Sequence, residues 1–437
     1  MMPPMGRNHC QSLPPDILSN LPDNLIDVIL MHLPYKDAVR TSVLSRKWRC
    51  HWRRLTELTL DRSLWETQKD KLYPTDKFRM IIYQILTLHE GPITKFTLDV
   101  DHLENYLEID NFICLLSRNG IEQLVLRFPQ GKTYNLPSSL FRCSQLRHLN
   151  LRFCSIHHPS AFQGFDHLSH LELCEVTISS ELLKSLISHC PLLEHLVLES
   201  SEKLGSIEIN SPMLRSFYFT GDISSLCLKN VPRLVKVTLL GNYIRAEDLD
   251  FAKVFESCSA LEHLSFNFLC SGFFFQAGFE APTRLPFNLN SVKRFCMPDI
   301  LLVESYKLSY ALCLIRSFPY LEYLEIQVHH EDDSDADDGS IEEYTEESLQ
   351  CLSDVTFNHL REFKIVYFSG RTSEMQFIKL LVAKSPMLER MLIDRRVLDQ
   401  EALVKRLEIF SKVACFPRAY PKLEIVFTDF SSVRPLR

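Results

Sequence analysis

Four histidines occupy a recurring place in this chain. His148, His170 and His195 each stand third in successive segments of Leu-x-x-Leu-x-Leu type, and His263 repeats the choice later. In an extended strand the third, fifth and seventh positions face away from the leucines. Neighbouring strands lie about 4.8 Å apart, so these imidazoles could stand in a column and hold a metal ion or a phosphate. Zinc typically takes about four ligands, and although Glu172 and Cys174 are near, neither is placed to finish a set. The plainer reading is a row of outward polar residues beside buried leucines, so no metal or cofactor is expected.

Other chemistry is thinner still. The 12 glycines form no G-x-G-x-x-G, Walker or G-x-S-x-G element, and no His-Glu-x-x-His helix is written anywhere, so the chain is not expected to be an enzyme. Residues 40–54 carry Arg40, Arg46, Lys47, Arg49, Arg53 and Arg54 with two tryptophans and no acid, a composition that could grip nucleic acid. The chain's net charge of −7 argues against that. Residues 331–347 hold ten acidic side chains and no basic one; without them the charge would be −7 + 10 = +3, too small for a broad basic field. That acidic tract reads as a solvated insertion in the array. The 14 cysteines form no Cys-x-x-Cys pair. Cys143, Cys190 and Cys258 each precede a repeat's first leucine by three residues, as small buried apolar groups would. Reduced thiols of this kind, with no signal-like or membrane-spanning apolar run, point to the cytoplasm or nucleus.

The elements that position these residues are repeats. The pattern begins at Leu146, Leu168, Leu193, Leu214, Leu234 and Leu261, with steps of 22, 25, 21, 20 and 27 residues, and returns at Leu321. Weaker copies begin at Ile93, Ile121, Val292, Leu360 and Leu388. Such a period predicts stacked strand-and-turn units that bury one face only by lying against neighbours. Pro191, Pro212, Pro232, Pro319 and Pro386 lie two residues before a strand's first apolar residue, where each is expected to stop a preceding helix. Cys154 and Asn242 fill the turn after their strands.

Before the repeats, Leu21, Leu25, Ile29 and Leu33 recur every four residues with Val28 beside them, which predicts an amphipathic helix that starts near Asp23 and stops at Pro34. A second short helix follows Asp37, and a third carries Trp48 and Trp52. Three helices this short cannot bury all their apolar surface among themselves, so an interface is expected. Leu21-Pro22, Leu33-Pro34, Val43-Leu44-Ser45 and Trp48 resemble an F-box in residue and order. Residues 357–394, with Leu360, Phe363, Ile365, Gly370, Glu374, Phe377 and Ser385–Glu389, resemble the FBD motif of plant F-box proteins.

Together these resemblances point to the plant F-box/FBD/LRR-repeat family. They imply an α/β fold: a disordered stretch 1–15, a three-helix F-box at 16–60, an irregular leucine-rich-repeat solenoid at 61–350 with parallel strands on its concave face and helices outside, and an FBD cap at 351–437. They also imply partners. Leu21, Pro22, Leu25, Ile29, Leu33, Pro34, Val43, Leu44 and Trp48 would dock a Skp-type adaptor, and through it a cullin and a RING protein. A target protein would bind the strand face, where His148, Asn150, Arg152, His170, Glu172, His195, Glu199, Tyr218, Lys236, His263 and Asn267 alternate with leucines. A small-molecule sensor and a binding scaffold outside any ligase are the alternatives.

Overall fold

The computed structural model describes residues 17–18, 20–64, 74–100, 107–131, 133–157, 162, 164–201, 204–241, 254–267, 289–300, 302, 315–330, 356–398 and 403–429. The acidic tract 331–347, Asn242 and the stretch 1–15 lie outside them. Two compact units divide the chain at His148 and Leu149. The strands on either side of residues 60 and 350 pair in one ladder within each unit.

In the first unit, helix α1 (Asp23–Met31) and helix α2 (Tyr35–Arg40) precede a 3-10 turn, Thr41–Val43, and a 3-10 helix, Trp48–Arg54. Ile26 and Leu30 of α1 are buried with Tyr35, Ala38, Trp48 and Trp52. Strands β1 (Glu57–Leu60), β2 (Lys95–Asp99) and β3 (Gln123–Arg127) pair in parallel, in register. Helices α3 (Pro74–Leu88) and α4 (Leu107–Arg118) supply the crossovers that parallel pairing requires. Phe78, Ile82 and Ile85 share one face of α3, and Ile109, Phe112, Ile113 and Leu116 one face of α4, all buried at helical spacing. The ring of Phe112 meets Phe96 of β2 at 4.5 Å.

Strand β4 (His148–Arg152), which belongs to the second unit from Leu149 onward, lies beside β5 (His170–Cys174). The series continues as β6 (His195–Glu199), β7 (Ser216–Thr220), β8 (Lys236–Leu240), β9 (His263–Phe266) and β10 (Arg294–Ile300), then β11 (Tyr323–Val328), β12 (Glu362–Val366), β13 (Arg390–Asp394) and β14 (Glu424–Thr428). From β5 onward each pairs with the next in parallel. The pattern's apolar residues fill the core: Leu171, Leu196, Phe217, Val237, Phe295, Leu324, Phe363 and Met391 are wholly enclosed. Helix α5 (Ser180–Ser188), capped by Ser179 Oγ accepting from Leu182 N–H at 3.2 Å, covers one repeat; α6 (Thr372–Lys384) and α7 (Leu403–Ala414) cover the last ones.

Two details correct the sequence reading. Outside β6 and β7 the chain forms strands, Leu204–Asn210 and Ile223–Lys229, paired with each other rather than coiled as helices. Pro212 and Pro232 therefore stop no helix. Their place is explained by a turn common to the repeats: the first leucine's N–H donates to the carbonyl three residues back, as from Leu193 to Cys190 at 3.2 Å and from Leu214 to Ser211 at 3.2 Å. Proline is the second residue of that turn, where its fixed φ fits. The residue accepting the bond is enclosed, which explains the register of Cys143, Cys190 and Cys258.

Candidate functional site

Helix α1 has two apolar faces. Ile26 and Leu30 look inward, whereas Leu25 (46% exposed), Val28 (45%), Ile29 (38%), Met31 (46%) and Leu33 (37%) look out. Pro22 and Pro34 are exposed residues at the starts of α1 and α2, and the 3-10 turn presents Val43 (86%) and Leu44 (51%). Leu21 is half-buried. So many large apolar side chains left in water within one short segment mark an interface.

Trp48 must be moved off that surface. It is 2% exposed, and its indole N–H donates to Leu18 O at 2.9 Å, so it builds the platform instead of touching a partner. Its neighbours do the same. Lys47 Nζ stands 3.1 Å from Asp23 Oδ1 and donates to Leu21 O; the hydrogen bond from Lys47 holds the Asp23 carboxyl below its usual range. Buried His51 pairs Nδ1 with Asp27 Oδ1 at 2.8 Å. Asp23 is thus the first helical residue, held by a cation and the helix start, and Pro22 occupies the cap position. Arg40 faces Asp37 at 3.1 Å and Arg53 faces Glu90 at 3.6 Å. Trp52 meets Tyr35 edge-on at 6.2 Å and is buried. In the basic segment that suggested nucleic acid, both indoles are therefore buried in the fold, and Arg40, Lys47 and Arg53 each face a carboxylate of this chain.

The strand face is mixed. Facing away from the core, His170 and His195 stack at 4.4 Å with planes 26° apart, and His148 and His263 are half-buried at the same register position. Stacked rings aim their nitrogens along parallel directions, not at one point, and among the described residues no group of three or more His, Cys, Asp or Glu gathers as metal ligands. Burial, then the neighbouring His170, lowers the pKa of His195. Asn150 and Asn267 are buried, against expectation. Asn150 donates to Glu172 on the next strand, and Asn267 Oδ1 accepts from Gly241 N–H at 3.4 Å. Both serve neighbouring repeats, so neither is free to meet a target. Arg152 is exposed, its guanidinium 5.1 Å from the Phe153 ring; Glu172, Glu199, Tyr218 and Lys236 are partly exposed.

Sequence reasoning missed the denser cluster on later strands. Arg294 lies over the Tyr323 ring at 3.9 Å; Tyr323 OH donates to Glu325 Oε2 at 2.6 Å, and Lys364 Nζ reaches Glu325 Oε1 at 3.2 Å. Arg294 is third in the weak copy beginning at Val292, so the register that exposed the histidines would have found it too.

The FBD-like residues serve the structure. Gly370 has φ 79°, and a Cβ there would stand 2.6 Å from Ile409 Cδ1 of α7. Buried Glu374 accepts from Ser369 N at 2.8 Å, Gly370 N at 2.9 Å and Ser369 Oγ at 2.6 Å, tying the loop before α6 to its first turn. Asp394, fully enclosed, accepts from Arg396 Nε at 2.9 Å and from Tyr367 N at 3.4 Å.

Comparison with known proteins agrees with this layout. Residues 18–59 match the F-box domain model, and residues 109–326 match one described as FBD-associated F-box protein At5g56370, LRR repeats. The F-box/FBD/LRR-repeat protein At1g13570 of Arabidopsis thaliana is 29% identical over 420 residues, covering 94% of this chain and 98% of that one. The F-box/LRR-repeat protein At4g14103 of the same plant is 30% identical over 42% of this chain and 49% of its own. An internalin from Listeria monocytogenes aligns with 72% of this chain and 84% of its own at 12% identity and a TM-score of 0.29.

Proposed function

We propose that this chain, which belongs to the F-box/FBD/LRR-repeat family, is the substrate-recognition subunit of an SCF-type ubiquitin ligase. The outward face of α1, with Val43 and Leu44, docks a Skp-type adaptor that brings a cullin and a RING protein; the strand face of the second unit holds the target. The observation carrying this reading is the exposure of Leu25, Val28, Ile29, Leu33, Val43 and Leu44 on a frame fixed by Trp48, Lys47 and His51. In this reading the chain does no bond chemistry. Its contribution is proximity, raising the effective concentration of a target lysine beside the charged ubiquitin-conjugating enzyme. A cytoplasmic or nuclear location follows from those partners and is proposed with them.

Purification of the tagged chain from cells expressing the adaptor and cullin tests this. Both are expected to co-purify, and Leu21→Ala with Pro22→Ala is expected to lose both while the repeats stay folded. Adaptor recovered without cullin would favour a scaffold outside the ligase; unchanged recovery by the double variant would remove the docking surface.

A further inference from the structure

Lys236, His263 and Arg294 are register partners on three neighbouring strands, β8, β9 and β10. Their side chains stand on the strand face, about 4.8 Å from strand to strand. Lys236 and His263 are half-buried and Arg294 is exposed. The row beside them along the same strands is Thr238, Ser265 and Cys296, also in register. These side chains are short, and Thr238 is buried, so the three cationic side chains rise above their neighbours.

The surroundings bound this strip. Toward the earlier strands, Ser216 is the register partner of Lys236 and separates it from the stacked His195. Toward the later ones, Arg294 rests on the Tyr323 ring, while Glu325 is engaged by Tyr323 and Lys364. Glu262, one residue before His263, faces Lys293 at 3.3 Å. Lys236 and Arg294 flank His263, and their charges disfavour its protonated form. Burial lowers the pKa of Lys236, and burial followed by the charge of Arg294 lowers that of His263. An anionic partner would relieve that repulsion and hold all three in their charged forms.

We propose that Lys236, His263 and Arg294 form a recognition strip for an Asp/Glu-rich segment of the captured protein, lying across strands β8 to β10. The strip deepens the substrate-receptor reading and rests on its assignment of target binding to the strand face. Charge complementarity selects this occupant, because carboxylates spaced along an extended chain can meet successive basic side chains, with the half-buried Ser265 hydroxyl alongside as a donor. Nucleic acid fits less well. The strip spans only about 10 Å, two strand intervals, and the chain's net charge of −7 supplies no surrounding basic field for a phosphate backbone.

The test uses the full chain and three fluorescein-labelled probes in anisotropy titrations: a peptide alternating Glu and Ser, its Lys and Ser counterpart, and an oligothymidylate. The Glu peptide is expected to bind, with affinity falling as sodium chloride rises. Lys236→Gln with Arg294→Gln should weaken it about tenfold, with the unfolding midpoint kept. Lys184→Gln with Lys229→Gln, the same loss of two positive charges at exposed positions off the strand face, should not weaken it. Absence of binding at low salt, equal weakening by the two double variants, or tighter oligothymidylate binding through Lys236 and Arg294 would each overturn the strip. Adaptor recovery measured on the same proteins separates the two claims. Peptide binding without adaptor binding sinks the ligase reading alone; adaptor binding without peptide binding sinks the strip alone.

Discussion

Adjacent residues of α1 should fail in opposite ways. Leu25 and Ile29 are 46% and 38% exposed, whereas Ile26 and Leu30 are fully enclosed. Burying a whole Leu or Ile side chain is worth about 1.5–3 kcal/mol, so covering the remaining fractions of Leu25 and Ile29 is worth together about 1–2.5 kcal/mol. Leu25→Ala with Ile29→Ala should therefore weaken binding of a purified Skp-type adaptor about fivefold to seventyfold. Stability should fall by about 1–3 kcal/mol for the pair, because somewhat over half of each side chain is already covered, so affinity is measured where the variant stays folded. Ile26→Ala or Leu30→Ala should instead cost about 2–5 kcal/mol of stability by opening a cavity under the platform. Calorimetric titration of the adaptor, with chemical denaturation of each variant, reads both quantities. Undiminished adaptor affinity in the outward double variant would refute the two-faced helix, as would a loss of affinity that merely tracks a loss of folding.

Two further outcomes follow from the repeats. Gly370→Val should destabilise the second unit by at least about 1–3 kcal/mol, since φ 79° disfavours a branched side chain and its Cβ would press on Ile409; an unchanged denaturation midpoint would refute this. Cys143, Cys154 and Cys258, whose thiols burial pushes up to about 12, should resist iodoacetamide at pH 8 in the folded chain, while exposed Cys50 and Cys415 are alkylated, as mass spectrometry of the peptides would reveal.

The strands and the outward face of α1 were legible because both rest on simple periodicities, two along a strand and 3.6 around a helix. What periodicity cannot encode is the partner of a polar group. Trp48 reads as contact surface until its indole N–H is seen on Leu18 O, 30 residues earlier. Asn150 stands at an outward position yet is covered, because Glu172 on the next strand takes its amide and the ladder closes around it. The prolines mark a real boundary for a different physical reason. Their spacing locates the turn, while packing on the outer side of each repeat decides whether a helix or a strand precedes it.

The FBD-like segment spends its matching side chains on folding. Phe363, Ile365, Phe377, Leu388 and Glu374 are buried, and Gly370 is fixed by its backbone and by Ile409. Residues whose side chains are consumed in this way make the last repeats fold, and they offer a partner little. In the proposed function, discrimination between targets is assigned to the outward third and fifth positions of the strands. Along β5 to β10 the third positions run His170, His195, Ser216, Lys236, His263 and Arg294. The core beneath stays apolar throughout while this row changes from imidazole to hydroxyl to cation. One scaffold can therefore carry many recognition surfaces, because the leucines that set strand position and the side chains that meet a partner alternate along the same strand without sharing a face.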